Sequence, residues 1–160
     1  ILKRMKRRHT FKTAVEFCEK IKNIRPNLVF GADLIAGFPT ETEKMFNNTC
    51  NLINECDLVY LHVFPFSKRD GTAAAKMPQV PNIEKKYRSK ILRDIGNKKL
   101  SDYLKSVVGE KKVVLIEKNF DNFSLGKTPE YASLKINKIL KVGELINLKI
   151  NSENNNMLVA

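Results

Sequence analysis

Two short apolar runs alternate with stretches of helical spacing along the first half of the chain. The runs 28–36 and 58–66 are almost wholly apolar, which predicts two buried strands. Residues 42–55 between them keep the spacing of an amphipathic helix. Two hydrophobic strands joined by a helix of this length predict a βαβ unit, with parallel strands that are covered on both faces.

Further helices are predicted on either side of this unit. Thr10 is placed to cap a first helix that reaches about residue 23 or 25, before Pro26. A long amphipathic helix is predicted from about residue 82 to 107. The side chains expected on buried helix faces are Phe11, Ala14, Val15, Cys18 and Ile21, then Met45, Phe46, Cys50 and Ile53, then Ile83, Tyr87, Ile91, Ile95, Leu100, Tyr103 and Leu104. The side chains expected on the exposed face of the long helix are Lys85, Lys86, Arg88, Arg93, Lys98 and Lys99.

The turn after the first strand begins at Gly37, and Thr40 with Glu43 has the spacing of a capping box for the next helix. Because the carboxyl ends of parallel strands share one edge of a sheet, we expect the turns after both strands to face one ligand site. A phosphate is disfavoured there, since the turn lacks a Gly-rich loop with a Lys, and Glu41 and Glu43 would repel it. A nucleoside without phosphates, such as an adenosyl group, fits better.

Three polar side chains on these strands are candidates for a site. Asp33 is the one polar residue of its strand, so its carboxylate needs either a backbone or basic partner or a ligand. His62 is either a hydrogen-bonded core imidazole, the interpretation we favour here, or a pocket residue. Arg69 follows the second strand and either binds a carboxylate or is simply exposed.

After Gly109 the pattern changes to short β runs. Strands are predicted at 113–117, 133–136, 144–150 and 157–160, separated by Gly126, Gly143 and Asn-rich turns. Short strands at this spacing predict a small antiparallel OB-like barrel. Phe120, Phe123 and Tyr131 either stack on bases or fill the core.

The chain is strongly basic, with a net charge of +12 that is unevenly placed. Residues 1–26 hold nine Lys or Arg against two Glu, and residues 82–106 hold eight against three acidic residues. Such basic segments favour a nucleic-acid partner, although A/T-biased coding would also enrich Lys, Asn and Ile. No apolar run approaches the roughly 20 residues of a membrane span, and no signal peptide is visible.

The three cysteines, Cys18, Cys50 and Cys56, match no zinc or cluster spacing, so we interpret them as structural thiols in a reducing cytoplasm. Because the sequence begins with Ile1, we expect a fragment whose beginning is missing.

An ordered set of segments resembles the C-terminal half of the radical S-adenosylmethionine methylthiotransferases, over essentially the whole chain. The segments are Leu2–Arg7 with His9 and Thr10, then Asp33–Thr42, then His62–Ser67 with Arg69, Gly71, Thr72, Ala74, Ala75, Met77, Pro78, Val80 and Pro81. The resemblance implies an α/β fold: the C-terminal part of a radical-SAM (partial TIM-like) barrel at 1–81, a connecting helix at 82–107, and a small all-β OB-like TRAM barrel at 108–160.

The resemblance also implies chemistry. The family uses S-adenosylmethionine and two 4Fe-4S clusters to add a methylthio group to tRNA. Residues 62–67 and 73–78 look most like the branch that modifies threonylcarbamoyladenosine beside the anticodon. The alternatives are the sister branches that act on isopentenyladenosine in tRNA or on a ribosomal protein. The residues implied to bind the cofactor are Asp33, Ile35, Gly37, Phe38, His62 and Phe64. From their charge or their aromatic rings, the residues that we expect to bind RNA are Lys3, Arg4, Arg7, Arg8, Arg69, Phe120 and Tyr131.

One departure from the family is large, because the chain has no Cys-x3-Cys-x2-Cys loop. We therefore expect no catalytic residue and no metal ligand in this chain, and no activity from it alone. We expect a monomer that binds the tRNA anticodon stem-loop, and neither DNA nor a membrane. A non-catalytic RNA-binding module and an incomplete gene product remain as alternatives.

Overall fold

The computed structural model describes all residues, 1–160, as two compact units, Ile1–Gly96 and Asn97–Ala160. The elements of the first unit are α1 (Phe11–Ile24), β1 (Phe30–Ala36), α2 (Glu43–Glu55), β2 (Leu58–Pro65), a short 3-10 helix (Ala73–Lys76) and the start of α3 (Asn82–Ser106). The second unit holds the rest of α3 and β3 (Lys111–Asn119), β4 (Ser124–Lys127), β5 (Ser133–Ile136), β6 (Leu145–Lys149), β7 (Ser152–Asn154) and β8 (Met157–Val159). None of the helices is long and apolar enough to cross a membrane.

The first unit is a βαβ unit, as predicted. β1 and β2 pair in parallel, with Asp33 opposite His62 and Ile35 opposite Phe64. The backbone N–H of Phe66 donates to the carbonyl of Ala36 at 2.8 Å, which extends the pairing past the end of β2. One face of this sheet packs on the three helices, and the buried members of that core are Cys18, Ala36, Phe46, Ile53, Cys56, Leu58 and Leu92.

The prediction that both faces of this sheet are covered is wrong. Gly31, Asp33 and Ile35 are exposed, and they alternate with partly buried neighbours along β1. Because successive strand residues point to opposite faces, the exposed set shares one face. The three helices pack on the opposite face, so this face of the sheet is not part of the helix-covered core.

The helix starts follow their caps. Thr10 caps α1 as predicted, since its hydroxyl accepts from the N–H of Thr13 at 3.2 Å. The predicted capping box of Thr40 and Glu43 is wrong, because Thr42 caps α2 and accepts from the N–H of Met45 at 3.3 Å. Thr40 has φ +67, whereas an N-cap residue needs an extended backbone, which Thr42 provides.

The first turns of α3 are rotated relative to the prediction. Ile83 and Tyr87, expected inside, are 81% and 61% exposed. Lys85 and Arg88, expected outside, are buried. The cause is Glu41, a buried carboxylate that pairs with Arg88 and so holds a charged helix face inside the unit.

The second unit is built on a curled six-stranded sheet in the order β6-β3-β4-β5-β8-β7. Neighbouring strands are antiparallel except β5 and β8, which are parallel. The predicted antiparallel barrel is therefore an open half-barrel, in which β6 and β7 form two free edges. Its buried core consists of Leu104, Val107, Val114, Ile116, Ala132, Leu134, Ile136, Ile150 and Leu158.

Four of its strands match the predicted runs, and β4 and β7 are additional. Gly126 was expected to separate strands but lies inside β4. A Cβ at Gly126 would stand 2.6 Å from Val114 Cγ1 and 2.7 Å from the carbonyl oxygen of Leu115. The glycine is there because β3 approaches too closely for any side chain.

Candidate functional site

The open face of the β1–β2 sheet carries four of the predicted site residues as two cross-strand pairs. Asp33 lies opposite His62, and Ile35 lies opposite Phe64, one step further along both strands. Residues in register on parallel neighbours share a face, so the two pairs form one small surface. Ile35 and Phe64 are 40% and 53% exposed, which is unusual for apolar side chains on a short parallel sheet.

Two expectations for this surface need correction. Asp33 is exposed, so its carboxylate is solvated and needs no buried partner. His62 is exposed beside it, and the interpretation as a core imidazole is wrong. Asp33 and His62 are both exposed because one face of the sheet is open, and the apolar runs alone did not reveal this.

A cavity of about 1570 Å³ in the first unit joins this surface to the predicted cations. Asp33, Ile35 and Phe64 form part of its wall. Its lining also includes four of the predicted RNA-binding residues, Lys3, Arg7, Arg8 and Arg69. The structure thus places an apolar floor, a carboxylate and several cations around one space.

Gly37 and Phe38 lie in the packed turn beyond β1 and not on the open face. Gly37 has φ +71, and a Cβ added there would stand 2.5 Å from Lys85 Cγ. The Phe38 ring is buried and packs edge-to-face on Phe66, with centroids 5.3 Å apart. Their predicted contact with a cofactor stays a prediction.

The turn is held by a buried ion pair that the sequence did not indicate. One carboxylate oxygen of Glu41, Oε2, accepts from the N–H of Gly37 at 2.9 Å and from Nη1 of Arg88 at 2.8 Å. Nε of Arg88 also donates to Glu84 at 2.9 Å. Burial alone would lower the pKa of Arg88, but the hydrogen bonds and charges of Glu41 and Glu84 outweigh it and raise that pKa.

The basic N-terminal segment is tied to the same turn. Lys3, Arg4, Arg7 and Arg8 are exposed, and the guanidinium of Arg4 donates to the hydroxyl of Thr40. Arg69 is exposed as well, in a turn closed by the Thr72 hydroxyl, which donates to the Arg69 carbonyl at 2.7 Å. These side chains can reach a polyanion from the rim of the cavity.

The second unit presents a separate surface of lysines and aromatic rings. Leu125 pairs with Lys118 on one side and with Lys135 on the other, so both lysines lie on the outer face of the sheet. Their ammonium groups lie 4.8 Å and 4.6 Å from the ring centroids of Phe120 and Phe123. Lys127 lies 5.4 Å from the ring centroid of Tyr131. Alternating cations and rings of this kind are typical of single-strand nucleic-acid surfaces.

Known proteins with similar sequences include tRNA methylthiotransferases. Over 150 residues, 94% of the chain, it is 49% identical to threonylcarbamoyladenosine tRNA methylthiotransferase MtaB of Rickettsia prowazekii, and the match covers 35% of that protein. Over 163 residues, 100% of the chain, it is 32% identical to tRNA-2-methylthio-N(6)-dimethylallyladenosine synthase of Roseobacter denitrificans, covering 37% of it. The enzyme of the same name from Clostridium novyi is 34% identical over 159 residues, 96% of the chain and 35% of that protein.

The chain belongs to the radical S-adenosylmethionine methylthiotransferase family, as a C-terminal segment. It spans about a third of the length of the curated relatives it matches. No protein-family model matches the chain.

The cysteines of this methylthiotransferase segment do not form a cluster site. The structure contains no group of three His, Cys, Asp or Glu side chains that could hold a metal ion. Cys18 and Cys56 are buried, and burial followed by contact with the Cys18 thiol raises the pKa of Cys56 to about 12.

Proposed function

We propose that this chain is the C-terminal segment of an enzyme that adds a methylthio group to N6-threonylcarbamoyladenosine in tRNA, beside the anticodon. The observation that carries the proposal is the 49% identity to the Rickettsia enzyme over 94% of the chain. The relatives named for dimethylallyladenosine are only 32% to 35% identical over 141 to 164 residues, which favours the threonylcarbamoyl substrate.

The open face of the β1–β2 sheet is the part of this enzyme segment that we assign to S-adenosylmethionine. Its apolar pair, Ile35 and Phe64, offers a surface for a purine ring, and the adjacent Asp33 and His62 offer a hydrogen-bond acceptor and a polar ring. The bound cofactor supplies the radical chemistry and the methyl group. The residues of this chain bind and orient its adenosyl part.

The turn that follows β1 completes this wall through its backbone. Glu41 and Arg88 hold Gly37 in place, so the main chain leaves the sheet along a fixed path. Gly37 and Phe38 then contribute backbone and packing, and the side chain of Phe38 stays inside. The iron–sulfur clusters of the family find no ligands in these residues, so their cysteines belong to other parts of the enzyme.

The cations of both units are assigned to tRNA. Lys3, Arg4, Arg7 and Arg8 with Arg69 suit the phosphates of an anticodon stem-loop near the cofactor. The lysine and aromatic surface of the second unit, with Phe120 and Tyr131, has the character of a TRAM domain that holds RNA. On this proposal the enzyme works in the cytoplasm as a monomer.

A chimera tests the proposal directly. The chain replaces the corresponding segment of the Rickettsia enzyme, and the chimera is reconstituted with its clusters and S-adenosylmethionine. Nucleosides from treated tRNA are then separated and identified by mass spectrometry. We expect methylthiolated threonylcarbamoyladenosine, and the parent enzyme serves as control. A folded, cluster-loaded chimera that forms no methylthio product would contradict the proposal, and a product on isopentenyladenosine alone would move it to the other branch.

A further inference from the structure

The loop Thr128–Tyr131 in the second unit holds an aromatic side chain in an unfavourable backbone conformation. Tyr131 has φ +65, in the left-handed region that bulky residues rarely adopt, and its side chain is 73% exposed. A tyrosine that packs in a core would repay such strain with buried area, and this one does not. Strained residues of this kind concentrate at functional sites.

The surroundings of Tyr131 fix it in this conformation. Its N–H donates to the carbonyl of Thr128 at 2.9 Å, and the N–H of Thr128 donates to the carbonyl of Ala132 at 3.0 Å. Ala132, the next residue, lies in the buried core of the unit. Beside the ring, Glu130 is held by Lys112, whose ammonium lies 3.3 Å from Oε1 of Glu130 and 3.1 Å from Glu110. The loop is therefore anchored on both sides of an exposed ring.

The rings of Phe120 and Phe123 already have a neighbour on each face, although the edge of Phe120 is exposed. Phe120 and Phe123 stack on each other with centroids 4.7 Å apart and an angle of 12° between the rings. Rings at that separation leave no room between them, so the ammonium groups of Lys118 and Lys135 lie on their outer faces. A base can stack there only by displacing a lysine. Tyr131 has one cation, Lys127, and no second ring on it.

We propose that Tyr131 and Lys127 form a preformed site for one unpaired nucleotide, with the base stacked on the ring and the phosphate bound by the ammonium group. Lys112 and Glu130 are positioning residues that hold the loop in its strained form. The inference rests on the RNA partner proposed above and names the contact in the second unit. The positive φ costs backbone energy, but it holds the ring in one orientation. A ring that is already fixed loses less conformational entropy when it binds a base.

Binding by the full chain tests the stacking site. The probe is an end-labelled oligoadenylate strand of about ten nucleotides, read by fluorescence anisotropy. Tyr131→Gly removes the ring and suits the positive φ, so we expect roughly five- to 150-fold weaker binding, together with a melting temperature equal to or above that of the wild type. Tyr131→Phe keeps the ring, and we expect binding close to wild type.

The salt dependence of binding distinguishes a lysine that contacts the phosphate from a lysine that only positions the loop. Lys127→Met removes a phosphate contact, so the slope of log affinity against log salt falls by about one. Lys112→Met weakens binding but leaves that slope unchanged, because its ammonium group faces Glu110 and Glu130. If Lys112→Met fails to fold, the double variant Lys112→Met with Glu130→Met removes both charges and gives the same reading.

Several results would overturn the inference. They are wild-type affinity in Tyr131→Gly, a melting temperature that falls in Tyr131→Gly, equal losses in Tyr131→Phe and Tyr131→Gly, or no binding of the strand by the wild-type chain. An active chimera together with any of these results would leave the proposed enzyme function standing and remove only this site. If the chimera is inactive but the strand binds as expected, the stacking site stands and the proposed enzyme function does not.

Discussion

Nη1 of Arg88 donates both to the carboxylate of Glu41, at 2.8 Å, and to the backbone carbonyl of Glu41, at 2.9 Å. The two residues are 47 positions apart in the chain, and both side chains are buried. The same carboxylate accepts from the N–H of Gly37. This contact fixes the turn between β1 and α2 to α3.

Removing one partner of this pair leaves the other as an unpaired buried charge. For Arg88→Met we expect the free energy of unfolding to fall by about 3–5 kcal/mol. The measurement is urea unfolding followed by circular dichroism. Arg93→Met, at an exposed position of the same helix, is the matched control and should change stability by no more than about 0.5 kcal/mol. Equal effects at the two positions would show that the ion pair does not support the turn.

Alanine variants of two glycines with positive φ distinguish the stability cost of backbone strain from the cost of steric crowding. Gly37 has φ +71, and an added Cβ would meet Lys85 Cγ at 2.5 Å, whereas Gly71 has φ +80 and nothing within 4 Å. Both alanine variants carry the backbone cost of the left-handed region. We expect Gly37→Ala to lose about 1–3 kcal/mol more stability than Gly71→Ala, because Lys85 must also move. Chemical unfolding of the two variants measures this difference. A difference near zero would mean that the Lys85 side chain moves aside at no cost in stability.

The pH dependence of stability has a contribution from Glu130. Burial alone would raise its pKa, but hydrogen bonds from its backbone and from Thr128, together with the charge of Lys112, lower the pKa below its usual 4.5. A lowered folded pKa stabilises the protein above the unfolded pKa, and this is lost as the pH falls through the folded value. Glu130→Gln should therefore flatten the loss of stability below about pH 4.5, as measured by thermal unfolding across pH. If Glu130→Gln loses as much stability at acid pH as the wild type does, Glu130 does not cause that loss.

The local elements of the fold were predictable from the sequence because their signals are local. Thr10 and the apolar spacing after it predicted α1, and two apolar runs predicted β1, β2 and their parallel pairing. The run 133–136 coincides with β5. Polar β7 and the Gly-containing β4 had no such signal, since pairing with neighbouring strands defines them.

Long-range relationships explain what was missed. The first turns of α3 bury Lys85 and Arg88 because Glu41, from a distant turn, neutralises the charge there. The exposure of Asp33 and His62 depends on which face of the sheet the helices cover, and both faces of an apolar strand look alike in sequence. The structure places Asp33, Ile35, His62 and Phe64 together on the open face, and their role in binding a cofactor stays a prediction.

The affinity for S-adenosylmethionine of the cluster-loaded chimera, measured by equilibrium dialysis, tests the central assignment most directly. Phe64→Ala removes apolar surface from the open face, and Ile83→Ala removes it from an exposed position on α3 that is 81% exposed. We expect the dissociation constant to rise by at least about tenfold for Phe64→Ala and to stay at the wild-type value for Ile83→Ala. Equal dissociation constants in the two variants would contradict the assignment of the open face to the cofactor.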